Sequence, residues 1–263
     1  MHIAQGRVAM VTGGASGLGR HIAARLHEAG AAVAIVDIDR TAATRAAREI
    51  GPDALAVTTD VRSPDAVREA VARVADEFGG LDTIVISAGV FHVGALEDTS
   101  EDDWDRTLDI NLKGAFLTIR AAAPLLRASG RGRIVTIGSD CGRRGFGLQV
   151  PYSAAKFGLI GLTEAVAAEL AGAGVTANCV CPVGCPTTGM GQQVLEWKVA
   201  RTGRTADQIR DSAAATNPLG RNATETDVAD ATLFFLSEHA GFLTGVTLDV
   251  DGGAHLGTIP GAQ

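Results

Sequence analysis

Short apolar runs rich in β-branched residues alternate with longer Ala- and Arg-rich stretches of helical period along almost the whole chain. The runs are Val8–Thr12, Ala32–Asp37, Leu55–Thr59, Thr83–Ser87, Arg133–Gly138, Val175–Val180 and Val246–Val250. They are apolar nearly throughout rather than at every second position, as parallel strands covered on both faces require. Between them Gly17–Ala29, Thr41–Ile50, Pro64–Phe78, Glu101–Ala128, Tyr152–Ala171 and Asp227–Ser237 read as helices. Ser63 before Pro64 is an N-cap with proline at the first helical position. Ser100 precedes three acidic residues, which the positive end of a helix dipole favours. Ala29-Gly30 and Phe78-Gly79 supply the glycines that close helices. This alternation specifies an α/β fold: a single-domain, doubly wound parallel sheet of about seven strands with helices on both faces.

Composition agrees with such a fold and narrows the function. With 46% hydrophobic and 20% charged residues the chain is an ordinary globular one, and its 33 glycines lack the period of a fibrous sequence. No linker or repeat divides it, so residues 1–263 read as one domain. The long departure is Pro182–Gly220, where Val194–Arg201 and Thr205–Ala215 have helical character. An insertion at about 183–219, after a late strand, reads as a substrate loop or lid. The net charge of −7, without a basic cluster, argues against nucleic acid as a partner. Cys179-Val180-Cys181 lacks metal-ligand spacing and a nearby histidine. No metal is therefore expected, and the four cysteines read as small buried hydrophobes. Met1–Arg7 carries no signal-peptide core, and no apolar run approaches the ~20 residues of a spanning helix, so a cytoplasmic location is expected.

A nucleotide site is legible at the first strand–helix junction, Thr12-Gly13-Gly14-Ala15-Ser16-Gly17-Leu18-Gly19. Glycines there allow a tight turn and a close approach to a pyrophosphate, and the following helix offers its positive end. A plain tight turn is the structural alternative. Asp37 closes the second strand 18 residues after Gly19. A carboxylate there accepts from ribose hydroxyls and repels a 2′-phosphate, which favours NAD over NADP, although Arg40 nearby is a group that holds such a phosphate. Tyr152, the only tyrosine, and Lys156, one of three lysines, lie four residues apart on one helix face. A lysine falls there by chance about once in a hundred. A phenol of pKa ~10 must drop about three units, worth ~4 kcal/mol, to act as a base near neutrality. A neighbouring ammonium at ~5 Å contributes ~3 kcal/mol of that at an effective dielectric near 20, and an oxidised nicotinamide would add a second positive charge, so the pair is adequate for proton transfer to or from an alcohol oxygen.

With these motifs the chain resembles a single-domain short-chain dehydrogenase/reductase with a Rossmann sheet, from Thr12-Gly-x-x-x-Gly-x-Gly19 to Asp251-Gly252-Gly253. The resemblance implies a catalytic set of Asn111, Ser139, Tyr152 and Lys156. Tyr152 would be the general acid/base and Ser139 would hold the substrate oxygen. Lys156 would lower the tyrosine pKa and bind the nicotinamide ribose, and Asn111 would anchor a proton-relay water. Taken singly, Ser139 could be a turn serine and Asn111 a helix kink. The cofactor would run over Gly13, Ser16, Gly17, Leu18 and Gly19, and over Asp37, Ile38, Asp60 and Val61, the last pair cradling adenine. It would continue past Ser87, Ala88 and Gly89 to Tyr152, Lys156, Pro182, Gly184, Cys185 and Thr187, with Thr187 at the carboxamide. Two positions depart from the family. Ser87-Ala88-Gly89 stands where Asn-Ala-Gly is usual, which predicts a modestly looser cofactor. Pro182-Val183-Gly184 replaces Pro-Gly, which reshapes the loop.

Asp140–Val150 and Pro182–Ala215 would bound the substrate pocket. Ser139, Tyr152, Phe146, Gln149, Met190 and Trp197 would face the substrate, with Leu195, Arg143 and Arg144 nearby. An arginine pair of this kind is more often solvated or at an interface than bound to an anionic substrate. The resemblance implies a NAD-dependent oxidoreductase interconverting a small or medium secondary alcohol, cyclic or polyol-like, with its ketone. It also implies a homotetramer. The rival readings are a NADP-dependent 3-oxoacyl or carbonyl reductase and a non-catalytic NAD-binding redox sensor. The sensor is expected to lack the tyrosine or the lysine, and an enoyl reductase to space them more widely.

Overall fold

A computed structural model describes residues 4–256. Residues 1–3 and 257–263, at the two ends of the span read above as one domain, lie outside the described residues. Seven strands form one sheet: β1 (Val8–Thr12), β2 (Ala32–Asp37), β3 (Leu55–Thr58), β4 (Thr83–Ile86), β5 (Arg133–Ile137), β6 (Thr176–Pro182) and β7 (Thr247–Val250). Their order is β3-β2-β1-β4-β5-β6-β7 and every pairing is parallel. The chain moves one way from β1 to β3, then returns to the other side of β1 with β4. Ligands of open parallel sheets bind at such a reversal, beyond the carboxyl ends of the strands.

Alternate strand residues feed opposite layers. Ala9, Val11, Val33, Ile35, Val85, Val135 and Val180 pack under α1 (Gly17–Glu28), α2 (Arg40–Ile50) and, late in the chain, α9 (Glu225–Leu236). Met10, Ala34, Val36, Ile84, Ile86, Ile134 and Ala177 pack under α3 (Pro64–Phe78), α5 (Gly114–Ala128) and α6 (Val150–Leu170). Ser63 accepts the Ala66 N–H as N-cap of α3, and Gly79 ends that helix at φ +76°. Ser100 forms a capping box with Asp103 at the start of α4 (Glu101–Leu108). Among the described residues no helix is long and apolar enough to cross a membrane.

Several boundaries differ from the sequence reading. The helix expected over Glu101–Ala128 is broken by a π-helical stretch at Asp109–Lys113, which the 3.6-residue period does not reveal. β6 runs on to Pro182, because pairing with β7 continues as far as Pro182 opposite Val250. The 183–219 segment holds α7 (Gly189–Thr202), five residues longer at its start than expected, and α8 (Ala206–Ala214). The early start comes from Thr188, which caps α7 by accepting the Gly191 N–H.

The edge of the sheet opposite the strand ends is held by charge. Arg7 and Asp82 are both buried, 3.6 Å apart, and Arg7 also reaches Glu238 at 2.5 Å. Asp82 further accepts from Val8 N, Thr83 Oγ1 and Arg131 Nη2. Removing one member of a buried pair leaves an uncompensated charge, which costs about 3–5 kcal/mol. Asp82→Ala is therefore expected to destabilise the fold by that amount, read as a lower urea midpoint at unchanged m-value.

Candidate active site

The junction of β1, α1 and β4 is the tightest packing in the nucleotide region. Gly13 sits at φ +64°, and a Cβ there would lie 2.7 Å from Ala88 Cα. A Cβ on Gly19 would run into the Gly13 carbonyl oxygen. Thr12 Oγ1 accepts the Ser87 and Ala88 N–H groups at 3.2 and 3.3 Å, binding the start of the β4 loop to the end of β1. Ser16 enters α1 with extended backbone and no side-chain cap bond, so the first N–H groups of α1 are left for another acceptor. Asp37 accepts the Ala15 N–H at 3.2 Å and the Asp39 N–H at 3.1 Å, which places its carboxylate against the glycine turn. Ile38 beside it is exposed. These features suit the pyrophosphate and adenosine ribose of a dinucleotide.

Other expected cofactor residues are engaged locally. Asp60 is gripped by Arg62, with Nη2 at 2.7 Å and Nε at 3.0 Å, and this guanidinium holds its carboxyl below the usual range. Val61 is buried against Gly114. Ser87 Oγ points at Gly19, 3.2 Å from where a Cβ would stand. Pro182 ends β6 with Gly184 exposed just beyond it, while the Cys185 side chain is buried in the core beneath α1 and α9. Thr187, expected at the carboxamide, is exposed and donates to Glu225 Oε2 at 2.8 Å. The threonine that faces the glycine turn is Thr188, whose Cβ would be 3.7 Å from a Cβ on Gly17. Thr188-Gly189 at a helix start was the available sequence signal.

Tyr152 and Lys156 are both buried on α6, with Lys156 Nζ 5.5 Å from the Tyr152 ring centroid. The ammonium donates to the Ile137 carbonyl at 2.8 Å, tying α6 to the end of β5. Asn111 lies in the π-helical stretch and donates to the carbonyls of Val90 and Thr107, both at 2.9 Å. Its Oδ1 is buried without a partner. A Cβ on Gly89 would lie 2.7 Å from that oxygen and 3.9 Å from Lys156 Nζ, so Asn111, Lys156 and Gly89 converge. Ser139, just past β5, donates to Asp140 Oδ1 at 2.9 Å and accepts the Cys141 N–H at 3.2 Å. The four-residue spacing predicts that Lys156 lowers the Tyr152 pKa. In the folded chain burial is the larger effect: it pushes the phenol up and the ammonium down.

Met190 Sδ lies 3.9 Å from Tyr152 Oη, so the base of α7 reaches the phenol. Gln149 Oε1 accepts from Cys141 Sγ at 3.0 Å. Phe146 carries the Arg144 guanidinium, and Trp197 that of Arg201, each on its ring face. Arg143 pairs with Asp249 of β7 at 3.1 Å. Phe91, absent from the sequence reading, meets Tyr152 edge-on at 5.0 Å between centroids. Only an aromatic two residues past Gly89 hinted at it.

A family model described as enoyl-(acyl carrier protein) reductase matches residues 13–255, from the glycine turn past the last strand. The chain belongs to the short-chain dehydrogenase/reductase family. It is similar to the (2S)-[(R)-hydroxy(phenyl)methyl]succinyl-CoA dehydrogenase subunit BbsD of Thauera aromatica, 39% identical over 96% of this chain and 98% of that protein. It is 38% identical to the (3R)-3-hydroxyacyl-CoA dehydrogenase of Canis lupus familiaris, over 95% and 96% of the two chains. A crystal structure of an actinorhodin polyketide ketoreductase variant with NADPH superposes with a TM-score of 0.89 at 33% identity, covering 94% of this chain and 97% of that one. As a short-chain dehydrogenase/reductase the chain is an oxidoreductase of CH–OH groups that uses a nicotinamide cofactor.

Thr188→Ala in this dehydrogenase/reductase removes the cap of α7, a loss of about 1 kcal/mol for such a helix start. Faster hydrogen exchange at Gly191 and Gln192, with β1 unchanged, is the expected outcome.

Proposed function

We propose that this protein is a NAD-dependent dehydrogenase that interconverts a small or medium secondary alcohol with its ketone. The observation that carries the reading is the buried Tyr152–Lys156 pair on one face of α6, converging on Asn111 Oδ1 at Gly89. The bound nicotinamide supplies the hydride acceptor. Tyr152 takes the alcohol proton as phenolate, and Ser139 orients the oxygen. Lys156, already desolvated, adds positive charge beside the phenol and presents its remaining hydrogens to a ribose hydroxyl. Asn111 Oδ1, a buried acceptor without a partner, suits a relay water that carries the proton outward. Phe91 and Met190, both against Tyr152, form apolar walls that keep bulk water from the phenol.

NAD rather than NADP is supported by the Asp37 carboxylate, locked against the Ala15 N–H where an added 2′-phosphate would meet negative charge. The second reading is reduction of a 3-oxoacyl thioester with NADPH. The family description, the two CoA-named relatives and the NADPH-bound ketoreductase favour it. Residues 183–219, with α7 and α8, act in either case as the substrate lid of one domain spanning the chain. Trp104, Phe116 and Phe157, exposed large hydrophobics on α4, α5 and α6, fit a homotetramer. A sedimentation mass of one chain would dismiss that assembly.

The test is nicotinamide absorbance with NAD or NADP and a panel of cyclohexanol, 2-butanol, meso-butane-2,3-diol and 3-hydroxybutyryl-CoA. Turnover is expected with NAD, and Tyr152→Phe should lose about 10²–10⁴-fold in kcat. Preference for NADP in the wild type would overturn the cofactor reading, whereas Asp37→Ala is expected to erode the preference for NAD. Because burial raises the Tyr152 pKa, the phenolate form grows only as pH rises. Alcohol oxidation should therefore increase through the alkaline range and ketone reduction should fall across it.

A further inference from the structure

Gln149 stands where a capping side chain is expected, and it does not cap. It is the N-cap of α6, yet its side chain accepts none of the free N–H groups of the first turn. Its Oε1 instead accepts from Cys141 Sγ at 3.0 Å. Burial keeps Cys141 a thiol, its pKa pushed up to about 12, so it has a hydrogen to give. Giving that hydrogen to Oε1 turns Nε2 away from the thiol. Among the described residues the two hydrogens on Nε2 have no partner.

The backbone just before this side chain is strained. Leu148 is the one non-glycine among the described residues with a left-handed φ, +67°. That conformation costs roughly 1–2 kcal/mol for a residue with a Cβ. It persists only where the surroundings enforce it, and such strain gathers at ligand sites. Here the Leu148 carbonyl accepts the Gly94 N–H at 2.8 Å, which clasps the loop after β5 to the loop after β4. The second loop also carries Phe91, whose ring meets Tyr152. Gln149 follows the clasp directly and precedes Tyr152 by three residues, about one helical turn. The clasp and the Cys141 bond together hold an unpaired amide donor beside the reacting phenol.

We propose that Gln149 determines specificity by donating its amide hydrogens to a second, neutral oxygen of the substrate, with Cys141 as the residue that orients the amide. The substrate class is then a secondary alcohol with a hydroxyl or carbonyl close to the carbinol, such as a vicinal diol or a 3-hydroxy ester. The inference rests on the reading that Tyr152 exchanges a proton with a secondary alcohol, and it narrows that reading to alcohols that carry another oxygen. Charge limits the class further. Asp140 adjoins Cys141, and its negative charge, which helps to raise the thiol, also opposes a substrate carboxylate beside Gln149. Arg143 is paired with Asp249, and the Arg144 guanidinium acts on Asp140 itself, so neither reverses that preference.

Racemic 2-butanol and meso-butane-2,3-diol share a carbon skeleton, offer carbinols of both configurations and differ by one oxygen. Their oxidation is compared with that of methyl 3-hydroxybutyrate and of the 3-hydroxybutyrate anion, using the cofactor that the wild type accepts. The kcat/KM of the diol, the ester or both should exceed that of 2-butanol about three- to tenfold, the change expected for one hydrogen bond. The anion should fall below the ester. Gln149→Leu, which keeps the bulk and removes the donors, should collapse the ratio of the favoured substrate to 2-butanol. Cys141→Ala, which releases the amide oxygen, should narrow that ratio, and Cys141→Ser, which keeps a donor, should restore it. A wild-type ratio below twofold for both two-oxygen substrates, or a ratio that survives Gln149→Leu, overturns the proposal. So does an equal loss on every substrate in that variant, which would make Gln149 a support of the loop alone. If Gln149→Leu does not fold, Gln149→Glu, which replaces the donors with a carboxylate at the same length, decides by the same ratio. An unchanged ratio in Cys141→Ala overturns the part given to Cys141. Absence of turnover for every alcohol with both NAD and NADP instead refutes the reading on which the inference rests.

Discussion

A buried ammonium has to be met by acceptors, and Lys156 meets the Ile137 carbonyl at 2.8 Å. That bond joins the first turns of α6 to the end of β5, and the rest of the site is arranged around it. Tyr152 stands one turn earlier on the same face. Asn111 approaches from the π-helical stretch, whose widened turn carries the amide that meets Gly89 and the Val90 carbonyl. Ser139 is the second residue past the carbonyl that holds the lysine. Displacing the ammonium would cost the fold its seam between helix and strand and the site its positive charge.

Parallel pairing explains why residues so far apart in the chain meet at all. Every strand ends on one edge, so the turns after β1, β2, β4, β5 and β6 line up in strand order there. The reversal between β1 and β4 opens the cleft, and the bonds from Ser87 and Ala88 to Thr12 Oγ1 keep it at fixed width. At the opposite edge Arg7, Asp82, Arg131 and Glu238 form a charged clamp. Stability and function are thus separated by the sheet's own direction.

Burial works on the site's titratable groups in opposite directions. It opposes charge on both Tyr152 and Lys156, so the phenol is raised and the ammonium lowered. A further positive charge beside the phenol would oppose the first shift. The acidic neighbour Asp140 raises the cost of the phenolate while it claims the Ser139 hydrogen.

Much of this was legible in the sequence because it depends on local spacing. Continuous apolar strands, capped helices and a glycine turn follow from nearest neighbours, and so does a lysine one helical turn after the only tyrosine. Residues whose place depends on contacts distant in sequence were not legible. Thr188 faces Gly17 while Thr187 turns out to Glu225, a choice between adjacent threonines that spacing from Pro182 does not reveal. The π-helical stretch at Asp109–Lys113 has ordinary helical composition. Phe91 gains its importance from a ring that is 61 residues away in the chain. The orientation of the Ser139 hydroxyl belongs to the same class, being set by the fold of the turn that follows β5. Periodicity and residue chemistry determined the family of fold and the kind of reaction. Tertiary packing decided which neighbours each reactive group has, because hydrogen-bond direction and desolvation depend on atoms that sequence spacing does not bring together.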